Sequence, residues 1–381
     1  MATYPMPTTS SFRCAAALGV LCFLAARVPA AEPAEPLTFS GDVRVRYERD
    51  WDSQNGAGVA RADRERARYR VRASLGYKFS NEWSLGARAR TGNRLSQQSP
   101  HVTFLASDDI TDRLEGSLDR YYLQFKQGAL TAWGGRNTTP FWQQNEMYWD
   151  EDVTPTGLAV IHERKIGQDT LTATAGAFRM PDGVSRLNGT LVGGQVKYSP
   201  KLASGQLTLA GSLYSLDGKR GAVNLRNRNG VRGYLIGVAS AQWSMTPAGG
   251  RPLTLGADLI KNFEDYTATD ALPFAPRHAD ETNGYVLSLL YGQTKNPGDW
   301  QAGWFYAHIE TLAVNASYSQ DDWARFGAGP QSDVTDFKGH EVRATYVITK
   351  SLNVQARLFL VEAITSIQDG KRLRLDLNWK F

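Results

Sequence analysis

The sequence predicts an all-β fold: a transmembrane antiparallel up-and-down β-barrel of about sixteen strands, with short turns at one end and long loops at the other. Three observations predict it. The last nine residues, Leu373 to Phe381, alternate strictly between apolar and polar and close on an aromatic residue. A period of two is the signature of a strand with two unlike faces. Mean hydropathy is -0.39, and no apolar run is long enough to cross a membrane as a helix. A barrel strand hides its lipid face behind alternate polar residues, so its hydropathy average stays low. Finally, 36 glycines and 11% aromatics suit tight turns and interfacial girdles.

The N-terminus reads as a secretory signal. Arg13 supplies the positive start, Ala15 to Ala26 the apolar stretch, and Val28-Pro29-Ala30 the small residues for cleavage. Residues 1–30 are therefore expected to be removed, leaving 31–381 as the barrel. Both cysteines, Cys14 and Cys22, lie in the signal, so disulfide and thiol chemistry leave with it. Arg13 and Arg27 leave too, lowering the formal charge from +5 to +3, too little for a nucleic-acid binder.

The strands follow in order. Phe39 to Glu48 places Phe39, Gly41, Val43, Val45 and Tyr47 on one face and charged residues on the other. Ala67 to Phe79 alternates apolar residues with Arg66, Arg68, Arg70 and Arg72. Ser80-Asn81-Glu82 turns the chain into a strand whose polar face holds Arg88 and Arg90. The same alternation recurs at Tyr121–Phe125, Leu171–Ala177, Val192–Tyr198, Leu207–Leu213, Leu253–Leu259, Tyr285–Tyr291, Trp300–Tyr306, Val342–Ile348 and Leu352–Leu360. Segments 130–136, 157–163 and 234–243 show no clean facing. Short connections are expected near 80–82, 127–129, 165–170, 199–205, 244–252, 293–299 and 349–351. Long ones are expected near 49–64, 91–116, 137–156, 179–189, 216–233, 262–283, 310–338 and 363–370. An even strand count puts both ends on the short-turn, periplasmic side. Tyr77, Phe79, Trp83, Trp243, Tyr291, Trp300, Tyr346, Trp379 and Phe381 then gather at that side as a girdle, and Trp379 and Phe381 double as the signal read by barrel-assembly machinery. Strand counts of 14 or 18 remain open at this stage.

If polar faces point inward, Arg44, Arg46, Arg66, Arg68, Arg70, Arg72, Arg88 and Arg90 line the lumen. In a closed barrel the last strand pairs with the first, so Arg343, Arg357, Arg372 and Arg374 join them in one basic wall, softened by Asp42, Glu48, Glu341 and Asp376. Acids gather in two long loops: Asp108, Asp109, Asp112, Glu115 and Asp119 in or beside the second, and Glu146, Asp150, Glu151 and Asp152 in the third. A third loop folded inward would set acids against the basic wall and create a transverse field, focused by low-dielectric walls. The plain alternative is that the arginines pair with lumen carboxylates and fill space. The three adjacent carboxylates of Trp149 to Ala159 do not match the spacing of a calcium loop, so no metal and no cofactor is expected.

Several stretches resemble the bacterial putative porin family: Arg64 to Asn93, with its arginine-rich strand and closing Thr91-Gly92-Asn93, Tyr121 to Phe125, Gly134-Gly135-Arg136-Asn137-Thr138-Thr139-Pro140-Phe141, and Trp149-Asp150-x-Asp152 with Pro155-x-Gly157-Leu158. The likeness covers roughly residues 39–160 and, weakly, the C-terminal strands. It implies a water-filled diffusion channel in the outer membrane of a Gram-negative bacterium, with no catalytic residues. Alginate-export barrels, also arginine-lined, are a more distant relative. Expected partners are outer-membrane lipid and lipopolysaccharide and small polar or anionic solutes. Either a homotrimer or a monomer fits. A dedicated export or uptake channel for an acidic polysaccharide or sugar acid is the alternative. An adhesive barrel would not need an arginine wall. A barrel enzyme would need a nucleophile beside His101, His162, His278, His308 or His340, and no motif supplies one.

Overall fold

A computed structural model describes residues 36–106, 115–218, 222, 224–226, 228–266, 274–323 and 334–381. The signal segment and Asp108, Asp109 and Asp112 lie outside the described residues. Sixteen antiparallel strands form the barrel, and three short extra strands extend it. They are β1 (Leu37–Gln54), β2 (Arg64–Lys78), β3 (Trp83–Thr91), β4 (Gly116–Gln127), β5 (Leu130–Arg136), β6 (Thr156–Ile166), β7 (Asp169–Pro181) and β8 (Leu187–Ser199), followed by β9 (Gly205–Asp217), β10 (Tyr234–Met245), β11 (Leu253–Asn262), β12 (Asn283–Gly292), β13 (Trp300–Ile309), β14 (Phe337–Val347), β15 (Leu352–Ala363) and β16 (Asp369–Lys380). The short extras are Ala60–Arg61, Val102–Ala106 and Lys201–Leu202.

Each strand pairs with its sequence neighbours, and β1 pairs with β16. The closing register runs from Asp42 opposite Lys380 to Asp50 opposite Arg372. Phe381 extends it: its amide donates to the Gly41 carbonyl (3.1 Å) and its carbonyl accepts from the Gly41 amide (2.9 Å). Closure leaves no free sheet edge, which is the condition for strands to survive in lipid. Alternation does the rest. Phe39, Val45, Tyr47, Leu209, Leu213 and Leu377 point outward and are exposed, as a lipid-facing band must be.

The strands run longer than the alternation indicates: β1 continues to Gln54, well past Glu48. The long-loop side is correspondingly trimmed, and the fourth and eighth connections shrink to 182–186 and 364–368. The aromatic girdle is present at the short-turn end. Trp83 meets Phe125 (5.0 Å between centroids), Tyr291 meets Trp300 (5.8 Å), and Phe381 packs on both Phe39 (5.7 Å) and Trp379 (5.0 Å).

The segments with no clean facing have a physical explanation. On β10, Tyr234, Ile236 and Val238 point inward and are buried, while Leu235, Ala239 and Ala241 point outward. Both faces are apolar, so no alternation shows. The inner face is apolar because loops pack on it. Trp133, Phe178, Leu191 and Tyr214 carry the same surface round the barrel, covered by Phe141, Met147, Tyr148 and Trp149 of loop 137–155 and by Leu312 and Tyr318 of loop 310–336. The interior thus has two halves, an apolar one that holds the loops and a charged one.

Candidate functional site

The charged half is built on β1, β2, β3 and β14–β16. Every arginine of the expected wall points inward, but not as a free basic surface, because carboxylates alternate with the guanidiniums across the closing seam. Arg46 forks onto Asp376 (Nε to Oδ1 2.7 Å, Nη2 to Oδ2 3.0 Å). Glu48 accepts from Arg374 Nε (2.8 Å), and Asp50 from Arg372 Nε (2.6 Å). On the other flank Arg66 donates to Glu48, Arg64 to Asp50 (2.6 Å), and Arg70 and Arg72 to the two oxygens of Asp42 (2.8 and 2.7 Å). Arg88 forks onto Asp119, which belongs to β4 rather than to the second loop (3.0 and 2.6 Å). Arg90 donates to the Ser96 carbonyl (2.5 Å). Arg343 and Arg357 share Glu341 (2.7 and 2.8 Å) and lie over the rings of Phe305 (4.7 Å) and Phe359 (4.9 Å). Two-sided pairing keeps buried charges affordable, since a guanidinium taken from water without a partner costs several kcal/mol.

Loop 137–155 folds into the lumen, and it does not fold alone. The described residues 310–323 of the connection after β13 enter beside it and run buried from Thr311 to Gln320. The two are tied by backbone bonds, Asp150 N to Tyr318 O (2.8 Å) and Gln320 N to Glu146 O (2.9 Å), and by stacking of Trp149 on Tyr318 (6.0 Å). Gln97 and Gln98 of loop 92–115 donate to the carbonyls of Ser317 (2.7 Å) and Ser319 (2.6 Å). The described part of this plug packs on the apolar half.

A cavity of about 160 Å³ lies in the charged half, lined on the wall side by Arg44, Arg343 and Arg357 and on the loop side by Glu146, Asp150, Glu151, Asp152, Asp321 and Asp322. The four loop acids singled out in the sequence meet here. Asp321 and Asp322 join them from a loop whose lack of periodicity offers no reason to select them. Burial, then the charges of Glu151 and Asp322, hold the Glu146 carboxyl well above its usual range. Burial, then Glu146 and Asp321, do the same for Asp150. Asp321 is also raised, by burial and by Asp322. For Asp322 burial works the same way, but Arg374, Arg46 and Arg357 outweigh it and hold the carboxyl well below its range. Glu146, Asp150 and Asp321 are thus shifted toward the protonated form, while Asp322 is held toward the ionised form by the wall. Arg64 is the wall member missed in the sequence, although it continues the alternate spacing of Arg66 to Arg72.

Other candidates fall elsewhere. His308 and His340 sit on the outer face against Tyr285 (5.2 Å) and Tyr306 (5.0 Å). His278 meets Glu281 (2.9 Å) in a loop, and half-buried His101 is held well below its usual range by desolvation and by Arg46 and Arg68. Among the described residues no group of three or more His, Cys, Asp or Glu side chains has the geometry of a metal site. A depression of about 1210 Å³ lies on the lipid face around Ala175, Gly194, Gly211 and Ala239.

The closed barrel with inward loops is the fold that comparison with known proteins also finds. Residues 55–224 match the putative porin family. That stretch contains most of the motifs that carried the resemblance. No curated protein sequence matches the chain. Among solved porin structures, Pseudomonas putida OprB in its high-pH form is 15% identical with a TM-score of 0.56, over 91% of this chain and 94% of that one. Its low-pH form gives 13% and 0.52 over 99% and 100%. Salmonella typhi OmpF in complex with daunomycin gives 13% and 0.51 over 91% and 97%. At these identities the likeness shows the porin fold. The family match and the fold together indicate an outer-membrane β-barrel.

Proposed function

We propose that this protein is a passive, non-catalytic outer-membrane diffusion channel that favours small anions. The observation that carries the reading is the division of the lumen. Loops pack on the apolar half, so a solute passes along the arginine wall. There Arg44 and Arg343, at 19% and 28% side-chain exposure, line the constriction cavity itself, whereas Arg46, Arg70, Arg372 and Arg374 are sealed in ion pairs. Opposite them Glu146, Asp150 and Asp321 are shifted toward the protonated form, which leaves the field from the wall less opposed. Fixed charges in a narrow low-dielectric channel sort ions by sign.

A cavity of about 160 Å³ holds on the order of five waters. That suits a small solute better than a polysaccharide chain, so the dedicated polymer channel is the weaker reading. The test is the reversal potential of the reconstituted protein in a salt gradient across a planar bilayer. Anion preference is expected, and Arg44→Gln with Arg343→Gln should reduce it. A non-conducting barrel would end the channel reading. Selectivity unmoved by the double variant would end the role of these two arginines.

A further inference from the structure

Beyond the constriction lies a second, smaller chamber of about 130 Å³, lined by Arg64, Arg66, Arg68, Arg226, Arg372 and Arg374, with Ser96, Gln98, Ser99 and Asp321. We propose that it is a binding site for a small oxyanion, a carboxylate or phosphate group, which makes flux through the channel saturable; the proposal rests on the anion-favouring reading above.

The register places the chamber. Arg64, Arg66 and Arg68 stand on β2 opposite Asp50, Glu48 and Arg46 of β1, and Asp50 and Glu48 stand opposite Arg372 and Arg374 of β16. The two strands flanking β1 therefore supply five guanidiniums to one patch, and Arg226 joins them from the connection after β9. The same connection is anchored to the plug through the Arg226 Nε bond to the Ala316 carbonyl (3.1 Å).

Charge does not balance there. Leaving Arg226 aside, the five strand guanidiniums face, among the described residues, four carboxyls, Glu48, Asp50, Asp321 and Asp322, an excess of one. Glu48 and Asp50 are each shared between two arginines, and Asp321 is the one acid in the lining itself. Burial and Asp322 raise the Asp321 carboxyl, which enlarges the excess further.

Donors are also left over. Arg68 gives Nη2 to Ser99 Oγ (3.1 Å) and to the His101 carbonyl (3.3 Å), its nearest carboxylate is Glu48 at 4.0 Å, and its Nε is buried with no partner. A buried charged donor without an acceptor costs about 1–3 kcal/mol or more. An oxyanion supplies the missing acceptor, and the planar guanidinium fork matches carboxylate and phosphate alike. The size agrees: about 130 Å³ is on the order of four waters, enough for a phosphate or the head of a short carboxylic acid.

The position gives the site a use. Gln98 and Asp321 line this chamber and the constriction cavity, so they form the partition between them. An anion held among the arginines is one step from Arg44 and Arg343. Conduction needs binding weak enough to release, so half-saturation is expected on the order of millimolar.

The experiment uses the full-length channel in a planar bilayer carrying chloride current at fixed ionic strength. Inorganic phosphate and, separately, succinate are titrated in from either side. Saturable reduction of the chloride current by either oxyanion is expected. In Arg68→Gln the half-blocking concentration should rise at least fivefold. Arg68→Lys keeps the charge but lacks the fork and should rescue the block only partly. Both variants are first checked for the heat-dependent gel mobility of a folded barrel, and Ser99→Ala, which perturbs the site without touching a charge, should weaken the block if the arginine variants fail to fold. An anion-preferring channel that neither oxyanion blocks overturns the site and leaves the channel reading intact. A reversal potential with no anion preference overturns both.

Discussion

Glu48 is the best place to weigh structure against selectivity. It has no exposed surface, accepts from Arg66 and from Arg374 (2.8 Å), and has Arg68 and Arg372 at 4.0 Å. Glu48→Gln keeps the shape and removes the charge. One of the two accepting oxygens becomes an amide NH2 that cannot accept from a guanidinium, and five guanidiniums, Arg64 at 3.7 Å included, lose a common counter-ion. Bonds to charged groups contribute about 1.5–3 kcal/mol each. Breaking a buried ion pair from one side costs about 3–5 kcal/mol. Asp322 remains on Arg374 and absorbs part of the excess charge, so a loss of about 3 kcal/mol is expected, at the low end of that range. The assay is urea unfolding of the barrel refolded in lipid vesicles, followed by tryptophan fluorescence and by gel mobility. The same variant adds one positive charge to the wall, so its reversal potential should move further toward anion preference. Stability and selectivity are thus expected to move in opposite directions. A loss under about 1 kcal/mol would mean that Glu48 behaves like a solvated surface carboxylate and would refute the reasoning. A shift toward cations would refute the role given to the wall.

Anion preference should fall as pH rises through the elevated range of Glu146, Asp150 and Asp321. Their raised carboxyls are neutral below that range and gain negative charge above it, and the contact between the two inward loops weakens with the same sign. Reversal potentials across a pH series would show this, and a flat series would contradict it. Trp149→Ala should loosen the plug and raise single-channel conductance, because the ring is buried and stacked on Tyr318; losing such a ring costs about 3–5 kcal/mol. Gly41→Ala should destabilise the seam by about 1–3 kcal/mol in the urea assay, because a Cβ there meets the Arg72 carbonyl at 2.4 Å and the Phe381 ring at 2.5 Å, and only the ring can move aside. Deleting Phe381 removes the two backbone bonds to Gly41 and should slow membrane insertion more than it changes the conductance of inserted channels.

Most of the barrel is legible in the sequence because lipid is an unforgiving solvent. Any strand facing it must alternate, as Leu373 to Phe381 and Ala67 to Phe79 do, and alternation survives in a single sequence. The inward direction of Arg44 to Arg374, the short and long connections and the girdle at Trp83 and Phe381 follow from that one constraint. The inside obeys no such rule. Tyr234, Ile236 and Val238 are apolar because loops cover them, and only the packed chain shows the loops. Asp321 and Asp322 carry no periodic signal, yet loop 310–336 sets them against Arg374 and Arg357. Spacing also cannot show that Arg46 and Arg374 are sealed by Asp376 and Glu48 while Arg44 and Arg343 stay accessible, because ion pairing depends on register across strands far apart in sequence. The sequence alone determined the barrel and the basic half of its lumen. Tertiary structure decided where the passage runs and which charges remain to act in it.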